Sequence, residues 1–135
     1  MTYHGVKSND EVLEALDNSH IFLYPNIWKE TSCIALLEAI KSQMICIHPN
    51  YGALPETAAN ATIMYDYIED PSKHANYAFV VTRQILQNMQ KDQNYFNGFT
   101  YSDRFNLARN NIPSFTNMWN AALRSVVENV EKREG

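Results

Sequence analysis

Two glutamates eight positions apart, Glu30 and Glu38, are the residues of this 135-residue chain best placed to do chemistry. An apolar run at 21–24 leads into a turn at Pro25, and the two glutamates follow it, the second within a stretch of helical periodicity. If helical geometry held across all eight steps, the carboxylates would lie roughly 12 Å apart, at about 1.5 Å per residue. That separation is too large for the two groups to share a proton, which argues against a two-carboxylate hydrolase.

A strand, a turn and a helix in this order suit an anionic ligand. Open α/β sheets bind ligands at the carboxyl ends of their strands, and a helix N-terminus placed there offers unpaired N–H groups and the positive end of a dipole. Two ionised carboxylates can accept hydrogen bonds from separate hydroxyls of one extended ligand. The arrangement therefore predicts a site for a molecule that carries hydroxyl groups at two places and phosphates between them.

Simpler structural roles compete with ligand binding at each of these positions. Glu38 can pair with Lys41 on a solvated helix face, and Glu30 can be an acid that the nearby helix dipole favours. Thr31 and Ser32 are natural N-caps whether or not a ligand binds. The order of the surrounding motifs distinguishes ligand binding from these structural roles.

Periodicity predicts alternating strands and helices around the two glutamates. Ser8 and Glu11 have the spacing of a capping box, and Asp70 with Pro71 opens a longer helix. Short apolar runs are typical of parallel strands covered on both faces. We expect strands at 3–6, 21–24, 44–47 and 62–65, and helices at 9–18, 32–42, from 71 onward, 102–110 and 115–132.

Helical spacing also predicts which side chains face inward. For the helix at 32–42 the expected inner residues are Cys33, Ile34, Leu37 and Ile40. For the helix after Pro71 they are Ala75, Ala78, Phe79, Thr82, Leu86 and Met89, and for the last helix they include Trp119 and Leu123. Residues 92–101 lack a period and predict a loop. The aromatic residues there and just beyond are expected in core or interdomain packing: Tyr95, Phe96, Phe99, Tyr101 and Phe105.

Composition limits the class of protein. The length fits one domain spanning 1–135, and a formal net charge of −4 argues against a partner that is a nucleic acid or an anionic membrane. Cys33 and Cys46 have no CxxC spacing, and no signal peptide or bilayer-spanning run is present. We therefore expect a cytoplasmic protein with no transmembrane segment. The histidines lack metal-ligand spacing, so a structural role is predicted for His20, His48 and His74.

The order of motifs resembles that of retaining glycosyltransferases of the family 4 type, which have two Rossmann-like domains and a glutamate-x7-glutamate signature. The resemblance covers roughly residues 1–90. It rests on an ordered string: Tyr24-Pro25-Asn26, Glu30, Leu37-Glu38-Ala39, the apolar strand at 44–47 and Gly52-Ala53-Leu54-Pro55-Glu56. The implied fold is a Rossmann-like three-layer αβα domain with a short parallel sheet of about four strands. It would be part of a C-terminal donor-binding domain, with C-terminal helices from about 102.

The resemblance also implies roles for individual residues. Glu30 would be the catalytic-site carboxylate that accepts hydrogen bonds from the donor sugar, and Glu38 would hold the ribose hydroxyls. The amides of Thr31, Ser32, Cys33 and Ile34 would lie by the sugar and the diphosphate. Gly5 and Val6 would meet the nucleobase. No metal and no other cofactor is implied; the donor would be a nucleoside-diphosphate sugar.

The implied activity is transfer of a sugar, with retention, from a nucleotide sugar to an acceptor. The acceptor domain or subunit and the cationic phosphate ligands of the family are not in this chain, so we expect it to be inactive alone. Two alternatives stay open. One is a subunit of a split glycosyltransferase, and the other is a non-catalytic Rossmann-like module that keeps the fold for partner contacts.

Two departures from the family pattern carry structural expectations. Gln43 stands where the family has a glycine in a left-handed conformation, and Thr31-Ser32-Cys33 replaces a glycine-rich loop. The family's central strand, the neighbour of 21–24, is missing as well. Either residues 3–6 pair with 21–24 directly, or two chains meet edge to edge or exchange elements. Of these outcomes we favour a homodimer.

Overall fold

A computed structural model of the chain describes residues 2–59, 61–99, 113 and 116–125. Helices and strands alternate along it, which confirms the α/β class. The elements are α1 (Asn9–Asp17), β1 (Ile21–Leu23), α2 (Ile34–Lys41), β2 (Ile45–Asn50), α3 (Leu54–Ala58), β3 (Ile63–Asp66) and α4 (Pro71–Lys91). Residues 95–99 and 116–125 are also helical, and the helix expected at 102–110 lies outside the described residues.

The three strands form one parallel sheet in the order β1-β2-β3, with a helical layer on each face. Side chains of β2 alternate between two cores, as strand geometry requires. Cys46 packs into a core with α2 and α3, whereas Ile45 and Ile47 pack into a second core with Tyr65 and α4. The three-layer Rossmann-like architecture is therefore confirmed, with β2 as its central, fully covered strand.

The expected first strand, at 3–6, does not form, and the sheet of the described residues has three strands instead of about four. Tyr3 and Val6 are 91% and 98% exposed. Gly5 adopts a φ of +70°, which interrupts an extended run after two or three residues. As a result β1 lies at the edge of the sheet.

Helices α1 and α4 begin where the sequence predicts. Ser8 and Glu11 make both hydrogen bonds of the capping box. Asp70 caps α4 by accepting from the Lys73 amide, with Pro71 in the first turn. These bonds join near neighbours in sequence, so they do not depend on the rest of the fold.

The phase of two helices differs from the prediction. In α2 the buried residues are Leu36, Ala39 and Ile40, whereas Ile34 is 68% exposed. In α4 they are His74, Ala78 and Ile85, whereas Phe79 is 60% exposed. A sheet of three strands is too narrow to cover the broad apolar faces of these helices, so one margin of each face meets solvent. Trp119 and Leu123, in the helical residues 116–125, are also more than half exposed.

The segment at 92–101, predicted as a loop, contains a helical turn at 95–99. Tyr95, Phe96 and Phe99 pack against the second core, and the Phe96 ring meets the His20 ring edge to face. Their predicted packing role is confirmed, whereas Tyr101 and Phe105 lie outside the described residues. Among the described residues no helix is both long and apolar enough to cross a bilayer.

A Schellman motif with an unusual residue ends α2. The Met44 amide donates to the Ala39 carbonyl at 3.1 Å, and the Gln43 amide donates to the Ile40 carbonyl at 3.0 Å. Gln43 has a φ of +59°, which confirms the left-handed position expected there. Its side chain is exposed. The turn therefore carries a β-carbon where glycine would be free of strain.

We predict that Gln43→Gly stabilises the protein. Relief of the left-handed strain should raise the free energy of unfolding by about 1 kcal/mol, less the entropy that glycine adds to the unfolded chain. Urea denaturation measures the change. Gln43→Ala is the control, because it removes the same side-chain atoms but keeps the β-carbon. An equal gain in both variants would contradict the explanation.

His48 is a fully buried imidazole at the end of β2. Its ring nitrogens lie 3.0 Å from the Pro49 carbonyl oxygen and 2.7 Å from Thr62 Oγ1, which supports the structural role predicted for it. Burial lowers the pKa of His48 below its usual value, against a smaller opposing effect of the Pro49 carbonyl. The folded protein therefore holds this ring neutral at a pH where the unfolded chain binds a proton.

Stability should consequently fall in mild acid. A folded pKa below the unfolded value of 6.5 gives a contribution that is complete above pH 6.5 and is lost as pH falls through the folded pKa. The loss is up to about 1 kcal/mol between pH 6.5 and 5.5. Denaturation of the native chain and of His48→Gln across this range measures it. Equal slopes in both proteins would show that another group causes the pH dependence.

Candidate functional site

The Glu30 carboxylate is held at the carboxyl end of β1 by the last side chain of that segment. Tyr24 Oη donates a hydrogen bond to Glu30 Oε1 at 2.5 Å, a length typical of a hydroxyl on an ionised acceptor. This bond is the main cause that raises the pKa of Tyr24, with burial second. Tyr24 therefore stays protonated as a donor at neutral pH. Within the described residues, no protein group bonds to Glu30 Oε2.

Asn26 folds the loop between β1 and Glu30. Its Oδ1 accepts from the Trp28 amide at 2.7 Å, and its Nδ2 donates to the Trp28 carbonyl at 2.7 Å. The same Nδ2 lies 3.5 Å from Glu30 Oε1. An Asn side chain that bonds the backbone two residues on defines a tight turn. The turn brings Glu30 back toward the carboxyl end of β1.

The turn after β2 fixes the backbone of Glu30. The Ala53 amide donates to the Glu30 carbonyl at 3.0 Å. A β-carbon added to Gly52 would lie 2.9 Å from the Glu30 carbonyl oxygen and 3.0 Å from its nitrogen, and Gly52 has a φ of +58°. Glycine is needed here for two independent reasons, the conformation and the close approach. Gly52 thus allows the two loops to lie in main-chain contact.

The N-terminus of α2 follows directly. Its N-cap residue is Cys33, not Thr31 or Ser32 as expected, and no side chain caps the helix. The reason is the loop path: Thr31 and Ser32 are exposed, and the chain turns helical only after the buried Cys33. Burial raises the pKa of the Cys33 thiol, so it does not place a negative charge there. The amides of Leu36 and Ala35 act on the Cys33 sulfur and oppose that rise in pKa, and the other amides at this end of α2 keep their hydrogen-bonding capacity for a ligand.

A small polar cavity of about 190 Å³ lies between this loop and α3. Its lining includes three hydroxyls and one carboxylate; the residues are Thr31, Ser32, Leu37, Ala53, Glu56, Thr57 and Ala59. The volume is below that of a typical ligand pocket, so the cavity can hold only part of a larger ligand. Glu56, in the first turn of α3, brings a carboxylate to this cavity.

Glu38 lies on α2 about one turn beyond the helix start and is half-buried. The exposed pair with Lys41, its competing structural role, is not formed: among the described residues the one ion pair joins Lys7 and Glu11. Its carboxylate is thus not engaged by Lys41, and Glu38 lies on the helix that directly follows the Glu30 loop.

The predicted residues fall into two groups. One continuous segment, the loop and the α2 helix that follows it, contains six of them: Glu30, Thr31, Ser32, Cys33, Ile34 and Glu38. Gly5 and Val6 are separate from it: a β-carbon on Gly5 would meet no atom within 4 Å, and Val6 is almost fully exposed. No hydrogen bond or cavity of the described residues connects these two with Glu30. The structure thus brings together one part of the predicted set and leaves the nucleobase pair apart.

Three positioning residues were not recognised as such from the sequence: Tyr24, Asn26 and Gly52. Each lies in a quoted motif. Gly52 contacts Glu30 only when two separate loops meet, and Tyr24 and Asn26 contact it through an irregular loop that has no helix or strand period. A tyrosine closing an otherwise apolar strand was the available indication, because its hydroxyl needs a partner when it is partly buried. In the described parts of the chain, no cluster of three His, Cys, Asp or Glu side chains could hold a metal ion.

The sequence of the chain matches one known protein family over most of its length. The model of the family "Glycosyl transferases group 1" matches residues 1–97, and the chain therefore belongs to this glycosyltransferase family. The matched region includes the sheet, α2 and the whole Glu30 loop. No curated protein and no solved structure matches the chain significantly.

Gly52→Ala should destabilise the protein and loosen Glu30. The added β-carbon would contact the Glu30 main chain and strain the left-handed turn, so we expect a loss of roughly 1–3 kcal/mol in the free energy of unfolding. Gly5→Ala is the matched control, since it has a similar φ but open space around it. Thermal or urea denaturation compares the two. A loss at Gly52 no larger than that at Gly5 would contradict the close main-chain contact.

Proposed function

We propose that this chain carries the donor site of a retaining glycosyltransferase of the family 4 type and binds a nucleoside-diphosphate sugar. The observation that carries the proposal is the fixed position of the Glu30 carboxylate, held by Tyr24 beside an uncapped helix N-terminus. Family membership supports sugar transfer as the reaction. The geometry supports binding of the donor substrate, because the site combines carboxylates that can accept from sugar hydroxyls with main-chain amides that can donate to phosphate.

In this proposal each part of the site meets one part of the donor. Glu30 accepts hydrogen bonds from the sugar through Oε2, since Oε1 is engaged by Tyr24. The amides of Thr31, Ser32, Cys33 and Ile34 face the sugar and diphosphate, where the positive end of the helix dipole favours an anion. Glu38 holds the ribose hydroxyls with charge-assisted bonds. The family resemblance would assign the nucleobase to Gly5 and Val6, which lie apart from the Glu30 loop.

The chemical step that fits this arrangement is departure of the nucleoside diphosphate with retention at the anomeric carbon. Negative charge develops on the leaving diphosphate, and main-chain amides aimed at that charge stabilise the transition state. Glu30 fixes the sugar so that its anomeric carbon faces the acceptor. The acceptor and the remaining phosphate ligands come from another domain or subunit, and the isolated chain is inactive.

We place the protein in the cytoplasm. Cys33 and Cys46 are both buried in the core, which suits a chain kept in a reducing compartment.

The proposal predicts weak but localised nucleotide binding. Titration with a nucleoside diphosphate and with its sugar conjugate should shift NMR amide signals of residues 31–34 and of Glu38. Affinity should be low because, among the described residues, no Lys or Arg lines the polar cavity beside the loop. Shifts confined to another face of the protein would contradict the proposal and favour a non-catalytic module.

Glu38→Gln tests the ribose assignment. Loss of a charge-assisted acceptor should weaken nucleoside-diphosphate binding by roughly 1–3 kcal/mol with little change in melting temperature. Calorimetric titration measures the affinity. Glu69→Gln, an exposed residue between β3 and α4, is the control with the same change of charge. An equal effect in both variants would indicate long-range electrostatics, and lost stability with unchanged binding would assign Glu38 to the helix.

A further inference from the structure

The polar cavity between the Glu30 loop and α3 is lined by hydrogen-bonding groups that the protein itself does not use. Four polar side chains line it: Thr31, Ser32, Glu56 and Thr57. Within the described residues none of the four forms a side-chain hydrogen bond or an ion pair, and none caps α3. A few convergent polar groups in one cavity are what a small-molecule site requires. These four side chains are therefore available to a ligand.

Both walls of the cavity come from segments that pack against each other. Residues 31–37 supply one wall and residues 53–59 the other, and α2 and α3 pack into the same core. The Ala53 amide, on the second wall, donates to the Glu30 carbonyl at 3.0 Å. Contacts between these two segments thus set the shape of the cavity, and the same contacts place it directly beside Glu30.

The chemistry of the lining selects the kind of ligand. A carboxylate only accepts hydrogen bonds, whereas a hydroxyl can both donate and accept. Leu37, Ala53 and Ala59 add apolar surface between these groups, and among the described residues no Lys, Arg or His lines the cavity. A phosphate or a carboxylate would therefore meet Glu56 without a compensating cation. A neutral ring with hydroxyls at its edge and C–H groups on its faces, as in a sugar, matches both the polar and the apolar part of the lining.

The size of the cavity fits one sugar ring. Its volume of about 190 Å³ corresponds to roughly six water molecules at about 30 Å³ each. That space accepts a monosaccharide and is too small for a nucleotide. Small side chains keep the space open. Ala59 ends α3 in a left-handed conformation with a φ of +47°, and it places only a methyl group on the cavity wall.

We propose that this cavity binds a neutral hexose and that Glu56 determines specificity against acidic sugars. The Glu56 carboxylate accepts a hydrogen bond from one hydroxyl of the sugar, and Ser32 and Thr57 bond to further hydroxyls. A uronic acid in the same position places its carboxylate against that of Glu56, and the two like charges repel each other. An uncompensated charge that opposes the wrong ligand is a general means of specificity.

The consequence for the donor substrate rests on the proposed function. The sugar ring of the donor occupies the cavity beside Glu30. The diphosphate stays outside the cavity, because Glu56 repels it, and lies at the main-chain amides where α2 begins. The class of donor is then a nucleoside diphosphate of a neutral hexose, and a donor that carries a uronic acid is rejected.

NMR titration of the full chain with monosaccharides, without nucleotide, tests the cavity. The probes are the methyl glycosides of glucose, galactose and mannose and the uronides that differ from them only by a carboxylate at carbon 6. At millimolar concentrations we expect at least one neutral glycoside to shift the amide signals of Ala53, Thr57 and Ala59. The matching uronide should bind at least about tenfold more weakly.

Three variants separate the charge of the cavity from its shape. Glu56 is exposed, so its substitution should leave the fold unaffected. Glu56→Gln removes the repulsion and should bring the Kd values of glycoside and uronide within about threefold of each other, whereas Glu56→Asp keeps the charge and should keep the difference. Thr57→Val removes one hydroxyl at nearly constant shape and should weaken the neutral glycoside roughly 2- to 10-fold.

The outcomes separate this proposal from that of the donor site. Equal affinity for glycoside and uronide in the native chain, or an unchanged ratio in Glu56→Gln, would overturn the specificity role of Glu56. Shifts confined to another face, or no shift with any of the sugars, would overturn the hexose cavity even if a nucleoside diphosphate binds at residues 31–34. Sugars that bind as expected, in a chain that binds no nucleoside diphosphate, would confirm the cavity and contradict the donor site.

Discussion

The main-chain contact between Gly52 and Glu30 is the constraint on which the site depends. A carboxylate on a surface loop has many accessible positions, and a loop holds a functional group only if a rigid scaffold fixes it. Here the Ala53 amide bonds the Glu30 carbonyl, and Gly52 lets the two backbones approach. Because Gly52 follows the most buried strand of the sheet, the loop takes its position from the core.

The side chain of Glu30 is ordered by a second, independent contact. The backbone contact sets where the loop lies, and the Tyr24 hydroxyl sets where the carboxylate points. Tyr24 extends β1 and packs against the core of α2 and α3, so its ring position is set by burial. One oxygen of Glu30 is thereby bound in advance and the other is left for a ligand. This preorganisation reduces the ordering that binding would otherwise require.

Sequence patterns predicted the features that near neighbours determine. The capping box at Ser8, the start of α4 at Asp70 and the left-handed Gln43 each depend on bonds within one turn. Predictions that needed tertiary information were less accurate. The strand at 3–6 did not form, because Gly5 adopts a left-handed φ that interrupts the extended run. Family order located both glutamates. The contacts that fix Glu30 follow no helix or strand period, because the Tyr24 bond spans six residues of an irregular loop and the Ala53 bond joins two separate loops.

Within the described residues β1 is an edge strand, and it also leads into the candidate site. The strand has three residues, and its inner side is paired with β2. When β1 is ordered, the Tyr24 side chain is held in place, and its hydroxyl in turn holds the Glu30 carboxylate. The order of one edge strand therefore contributes to the fixed position of the Glu30 carboxylate as well as to the sheet.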